Sequence, residues 1–245
     1  MRLLAMLLLC SLANACGQAS DEIDSASETQ SVVLDSTRSR WTNPSAIPVC
    51  IMNRAQISDE VFTDIKNYVV TEYANKTGLN FVGWGSCTNA QKTAKVIRVT
   101  FANKHNWATS GGMTAGGGLS MVGMTTSNCG TDCLGGSMRL DISKTGAFPS
   151  KESYYRDFTV SRTRATAIHE FGHAIGLMHE HERSDADDCD RSDGSVVADD
   201  SRYTYVTEYD SNSIMNYCHS GTQTTLTKSD VAGVAYLYPT VSVGH

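Results

Sequence analysis

Apolar residues recur along this chain in short blocks divided by Gly, Pro and polar clusters. Ile47 to Met52 is apolar and β-branched, which predicts a strand. From Ser58 to Thr77, Val61, Ile65, Tyr68, Val69 and Tyr73 fall at helical spacing. Ser58 can cap that helix, Asp59 and Glu60 suit its first turn, and Gly78 supplies the stop. Leu79–Val82 predicts a short strand, and Val96–Phe101 another, with Ile97, Val99 and Phe101 alternating. Glycines crowd residues 110–123 too densely for a helix, so a loop leading into an edge strand near Leu119–Met124 is expected. Met138–Ile142 alternates as a further strand, Thr163–Met178 reads as a strong helix, and Thr227 can cap a last helix through Leu237. Strands with one helix, then a helix, a long irregular stretch and a final helix make an α+β pattern.

Composition narrows the class. The chain has 245 residues, 40% hydrophobic and 19% charged, as soluble globular proteins do. Its net charge of −6 argues against a phosphate-binding surface, so no nucleic-acid partner is expected. No apolar run is long enough to span a bilayer. Met1-Arg2, the apolar Leu3–Leu9 stretch and Ala13-Asn14-Ala15 have the form of a secretory signal over residues 1–15. Residues 16–40 are rich in Ser, Asp, Glu and Thr and predict a flexible tether or short pro-segment. The folded domain is then expected over 41–245. Leu12–Cys16 resembles a loose bacterial lipobox. Of eight cysteines, Cys10 leaves with the signal, and lipid on Cys16 would leave an even six. Plain secretion, with Cys16 unmodified, stays open.

The chemistry sits on the Thr163 helix, in His169-Glu170-Phe171-Gly172-His173-Ala174-Ile175-Gly176-Leu177-Met178-His179. His169 and His173 are four apart and share one helix face, where both can hold one metal ion. Glu170 lies about 100° round the helix from His169, within reach of water at the metal without being a ligand. Gly176 can adopt positive φ, so the helix can end there and the chain can turn to bring in His179. Three neutral imidazoles with an open position suit a catalytic zinc. Five fixed positions in eleven arise by chance in roughly one in 10⁵ chains of this length.

This run resembles the metzincin motif, H-E-x-x-H-x-x-G-x-x-H followed by a Met-turn, for which Ser213-Ile214-Met215-Asn216-Tyr217 is the candidate. His179-Glu180-His181-Glu182-Arg183-Ser184-Asp185 is similar to the extended astacin signature H-E-H-x-R-x-D. The specific part of the likeness spans 163–185 and 213–217, and Leu177 departs from the usual Phe. The resemblance implies a two-subdomain zinc protease with a twisted mixed sheet, an active-site helix and a loop-rich C-terminal subdomain. It implies His169, His173 and His179 as ligands of one zinc ion, with Tyr217 as a fifth ligand able to swing away, and Met215 as an apolar floor. It implies Glu170 as general base and Tyr217 as a hydrogen-bond donor to the oxyanion of peptide hydrolysis. In astacins the residue matching Glu180 meets the mature N-terminus.

A secreted or lipid-anchored zinc endopeptidase at the bacterial cell envelope is therefore expected. Its partner would be a peptide lying extended along the edge strand near Leu119–Met124. The protein is expected to be a monomer that meets membrane only through a lipid on Cys16. A catalytically silent binding or adhesion module on the same scaffold is the alternative, although no motif residue is missing. Carboxylates from Asp185 to Asp210 read as a solvated acidic loop rather than a calcium site. His105, His181, His219 and His245 are given no role, and Trp84 and Trp107 are expected in the core. Six cysteines allow 15 pairings, of which Cys50–Cys87, Cys129–Cys133 and Cys189–Cys218 are favoured.

Overall fold

Five strands form one sheet in the order β2-β1-β3-β5-β4 in a computed structural model. It describes residues 40–92, 95–102, 117–123, 138–142, 159–186, 203–217 and 223–241. The strands are β1 (Ile47–Ile51), β2 (Phe81–Ser86), β3 (Ile97–Ala102), β4 (Gly118–Ser120) and β5 (Met138–Asp141). Four run parallel; β4 closes one edge antiparallel to β5. The central strands are buried almost throughout, as parallel strands covered on both faces must be. This is the α+β fold that the hydrophobic pattern implies, with the mixed sheet that the resemblance implies.

Helix α1 (Asp59–Thr77) forms where its spacing predicts it. Ser58 Oγ accepts from the Val61 N–H, satisfying one orphan donor of the first turn. Gly78 ends the helix in the left-handed region, at φ 73°. Val61, Ile65, Val69 and Tyr73 face the core, and Tyr68 is half-buried, its hydroxyl donating to Thr224 O. The Tyr73 hydroxyl reaches the active-site helix α2 (Thr159–Ile175) and donates to Ile168 O at 2.7 Å. Arg164 of α2 forks onto Asp64 of α1 and lies over the Tyr68 ring.

Strand β2 begins two residues later than expected and runs on through Gly83 and Gly85. The reason is a bulge. Val49 pairs with Gly83 and Cys50 with Gly85, leaving Trp84 as the extra residue. Gly83 has φ 98° and Trp84 φ 64°, both in the left-handed region. The kink turns the Trp84 ring inward, where it is buried and stacks on Phe171 of α2 at 5.4 Å. The bulge therefore supplies a wall for the helix that carries the histidines. Trp84 lies in the core as expected; Trp107 is outside the described residues. The Cys50–Cys87 disulfide joins the ends of β1 and β2 as expected, while the other two pairings fall outside the described residues.

Helix α2 starts earlier than its apolar periodicity suggests and stops at Ile175 rather than Met178. Gly176 takes φ 109°, and the Leu177 N–H returns to Gly172 O at 2.9 Å, the closing bond of a left-handed cap. Last comes α3 (Lys228–Leu237), capped by Thr227, which exchanges hydrogen bonds with Asp230 in a capping box. No helix among the described residues is long and apolar enough to cross a membrane.

Gly83→Ala would put a Cβ 2.7 Å from Val49 O at a φ that L-residues resist. We expect it to cost about 2 kcal/mol. Denaturant unfolding measures this directly, and an unchanged midpoint would show that the bulge is not needed.

Candidate active site

The three histidines come from one helix and the turn beyond it. His169 and His173 lie on consecutive turns of α2; His179 arrives after the Gly176 reversal. All three are buried, and one nitrogen from each lies within 4.8 Å of the others. Their outer nitrogens are tied down. His169 Nδ1 meets Ile214 O at 2.8 Å, His173 Nδ1 meets Leu177 O at 2.9 Å, and His179 Nδ1 meets Glu182 Oε1 at 3.0 Å. A carbonyl or carboxylate oxygen can only accept, so each Nδ1 carries a proton. Burial pushes the His169 imidazolium down to about 4. Burial, reinforced by the neighbouring imidazoles, also holds His173 well below its ordinary value. Both are therefore neutral near pH 7.

This donor set fits a zinc ion. His169 Nε2 is buried with no hydrogen-bond partner among the described residues. His173 Nε2 and His179 Nε2 lie 3.0 Å apart, two ring nitrogens that one ion can share. An electron-pair acceptor resolves both, and three neutral imidazoles with an open position are what catalytic zinc takes.

The floor of the site is Ser213–Tyr217. Met215 is buried, and its Sδ fills the space beside Gly172, where an added Cβ would stand 2.6 Å away. Asp230, the third residue of α3, holds this turn. Its carboxylate accepts from Ser213 Oγ at 2.6 Å and from the Ile214 N–H at 3.1 Å while also accepting from Thr227. Burial raises the Asp230 carboxyl above the usual range despite these donors. The Glu180 N–H donates to Met215 O at 2.9 Å, stitching the third-ligand segment to the same turn. The Glu180 carboxylate is engaged within the chain by Arg183 Nη1 at 3.1 Å and the Asp210 N–H at 2.9 Å. Burial lifts it to about 7. Whether a mature N-terminus reaches Glu180 concerns residues outside those described.

Glu170 is buried on α2 against the edge strand. A Cβ at Gly118 would fall 2.4 Å from Glu170 Oε1, so only glycine lets β4 approach this closely. The edge strand itself is Gly118–Ser120, shorter than the expected Leu119–Met124; Met121 to Gly123 leave the ladder. Tyr217 stands at the mouth, 42% exposed, with its ring 4.4 Å from both His179 and His181 and 5.3 Å from His169. His181, given no role from sequence, is buried, and its Nδ1 accepts the Tyr217 N–H at 3.2 Å. Sequence reasoning also passes over Gly118, Glu182 and Asp230. Only Asp230 leaves a signal there, as the acidic partner in Thr227-x-x-Asp230. The acidic stretch 187–200 lies outside the described residues.

A buried three-histidine centre, a glutamate beside its first ligand, a methionine floor and an adjacent edge strand define a metzincin-type zinc endopeptidase. The model of the astacin peptidase family matches residues 143–234. That matched segment carries His169, Glu170, His173 and His179, the active-site motif of an astacin-type zinc metalloendopeptidase. The fold of the chain is similar to that of myroilysin, with a TM-score of 0.57 at 22% identity over 86% of this chain and 98% of that one. It is also similar to high choriolytic enzyme 1, a hatching-enzyme zinc protease from the medaka fish Oryzias latipes. There the TM-score is 0.48 at 19% identity, over 82% of this chain and 92% of that one. No curated protein matches the sequence. The cofactor is zinc, the substrates are peptides, and family members with disulfides are generally secreted.

Gly118→Ala should displace the Glu170 carboxylate while leaving the histidines in place. We expect kcat on a peptide to fall at least about tenfold, a fraction of what a general base contributes. Zinc content, read by atomic absorption, should not change. A variant with parental kcat would remove Gly118 from the site.

Proposed function

We propose that this protein is an exported endopeptidase in which Glu170 is the general base and Tyr217 assists the oxyanion. The observation that carries the reading is the convergence of three buried histidine nitrogens, with the buried Glu170 next to His169 on the helix and packed against Gly118 of the edge strand. His169, His173 and His179 would hold the zinc, joined at rest by Tyr217. When bound, the ion acts as a Lewis acid, polarising the scissile carbonyl and acidifying water at the site.

The chain's own groups do the rest. Glu170 takes the proton of the attacking water and passes it to the departing amine. Burial shields its carboxylate from solvent, and Gly118 leaves room for it against the edge strand. The exposed Tyr217 ring on a backbone pinned by His181 can turn about its side-chain torsions, so its hydroxyl can meet the developing oxyanion. A substrate strand adds to the outer edge of β4, which has no partner strand among the described residues. Leu119 and Met121, both exposed, offer that strand apolar contact.

We assign residues 1–15 to an export signal, 16–40 to a tether or pro-segment and 41–245 to the catalytic domain, acting as a monomer. The lipobox-like Leu12–Cys16 and the cysteine parity favour lipid anchoring at a bacterial envelope over free secretion. Intact lipoprotein mass after detergent extraction decides between them.

The test compares the zinc-loaded protein with Glu170→Gln on an unfolded protein substrate, with and without a chelator. Internal cleavage by the parent should vanish with the chelator and fall about 10²–10⁴-fold in the variant, which should retain its zinc. Cleavage that survives in Glu170→Gln would remove the general-base assignment. A parent that holds zinc and never cleaves would favour the binding-module alternative.

Tyr217→Phe separates the second role. We expect kcat to fall about 10–100-fold with KM nearly unchanged, because the lost hydrogen bond belongs to the transition state. An equal rise in KM with constant kcat would make Tyr217 a substrate contact instead.

A further inference from the structure

The three ligands are not held alike. His169 and His173 rest on backbone carbonyls, which are neutral. His179 rests on a carboxylate, Glu182 Oε1, at 3.0 Å, and both side chains are nearly out of solvent, at 9% and 4% exposure. The same oxygen lies 3.9 Å from His181 Nε2. The tautomer of His181 follows from its other side. A backbone N–H can only donate, so His181 Nδ1 accepts from Tyr217 and the proton sits on Nε2, toward Glu182. His179, His181 and Glu182 also cluster closely enough for a second ion. That same proton argues against one, because it occupies the position a cation would take.

We propose that Glu182 is the charged positioning residue of the metal centre, accepting the His179 N–H and lying 3.9 Å from His181 Nε2, beyond hydrogen-bond reach. The inference rests on the reading that His169, His173 and His179 hold zinc. A carboxylate behind a ligating imidazole fixes the ring and raises its basicity more than a carbonyl does. Here it acts on the ligand that is not on α2. The first two rings share one helix and rest on backbone carbonyls, whereas His179 follows the Gly176 reversal and needs an anchor of its own. His181 lies beside the same carboxylate and, on its other side, holds Tyr217, whose N–H binds His181 Nδ1 and whose ring stacks on it at 4.4 Å.

The test uses the full chain, stripped of metal and titrated with zinc against a chromophoric chelator. Glu182→Gln keeps an acceptor oxygen and removes the charge; Glu182→Ala removes both. We expect zinc affinity to fall about tenfold in Glu182→Gln and toward a hundredfold in Glu182→Ala. The visible spectrum of the cobalt-loaded protein should shift in both, and the thermal midpoint of the metal-free protein should stay at the parental value. Should Glu182→Gln not fold, Glu182→Asp, which keeps the charge, should bind zinc more tightly than Glu182→Ala. Parental affinity and spectrum in Glu182→Gln, or equal affinities in Glu182→Asp and Glu182→Ala, would overturn the proposal. Loss of affinity that merely follows a lowered metal-free midpoint would overturn it as well. The failure of the underlying reading looks different: a parent that binds no zinc, or binds it equally after His173→Ala.

Discussion

Three imidazoles can aim their lone pairs at one point only if their far nitrogens are held, and the holding groups come from three separate places. Ile214 O belongs to the methionine turn, Leu177 O to the reversal after α2, and Glu182 to the segment beyond His179. Each of these must itself be fixed. Gly176 fixes the reversal by reaching a φ closed to other residues. Asp230 fixes the turn by accepting from Ser213 and Ile214 with the same carboxylate that caps α3. The metal centre is thus the meeting point of the fold's last three segments, not a property of one helix.

The sheet serves the same centre from the other side. Trp84, forced inward by the bulge in β2, stacks on Phe171, and Tyr73 of α1 bonds to Ile168 O. Both contacts press on the stretch of α2 that carries His169 and Glu170. At the sheet's far edge Gly118 lets β4 come against Glu170 with nothing between them. A large apolar ring and a missing side chain do complementary work here. One sets how deep the helix sits, and the other sets how near the edge strand can come.

Most of this scheme is legible where the determining contacts are local. His169 and His173 read out by helical spacing, Gly176 by its place after the helix, and Ser58, Gly78 and Thr227 as caps, because caps act over three or four residues. The Cys50–Cys87 bond follows the strands that frame it. What escapes depends on distant partners. Gly83-Trp84-Gly85 looks like a strand breaker until Val49 is placed opposite, and so the pattern alone ends β2 at Val82. Gly118 is one glycine among many until Glu170 lies against it. His181 looks surplus because nothing nearby in sequence says that Tyr217 will return to donate to it.

Met215 carries a consequence for oxidative chemistry. Its sulfur occupies the hollow left by Gly172 and the side chain is buried, so a sulfoxide oxygen would place a polar atom where the fold has packed a thioether. Oxidants can attack it only when the turn opens, and a chain oxidised while open cannot close again over a polar group. Sulfoxide at Met215 is therefore a record of past unfolding, written on the side chain that floors the metal centre.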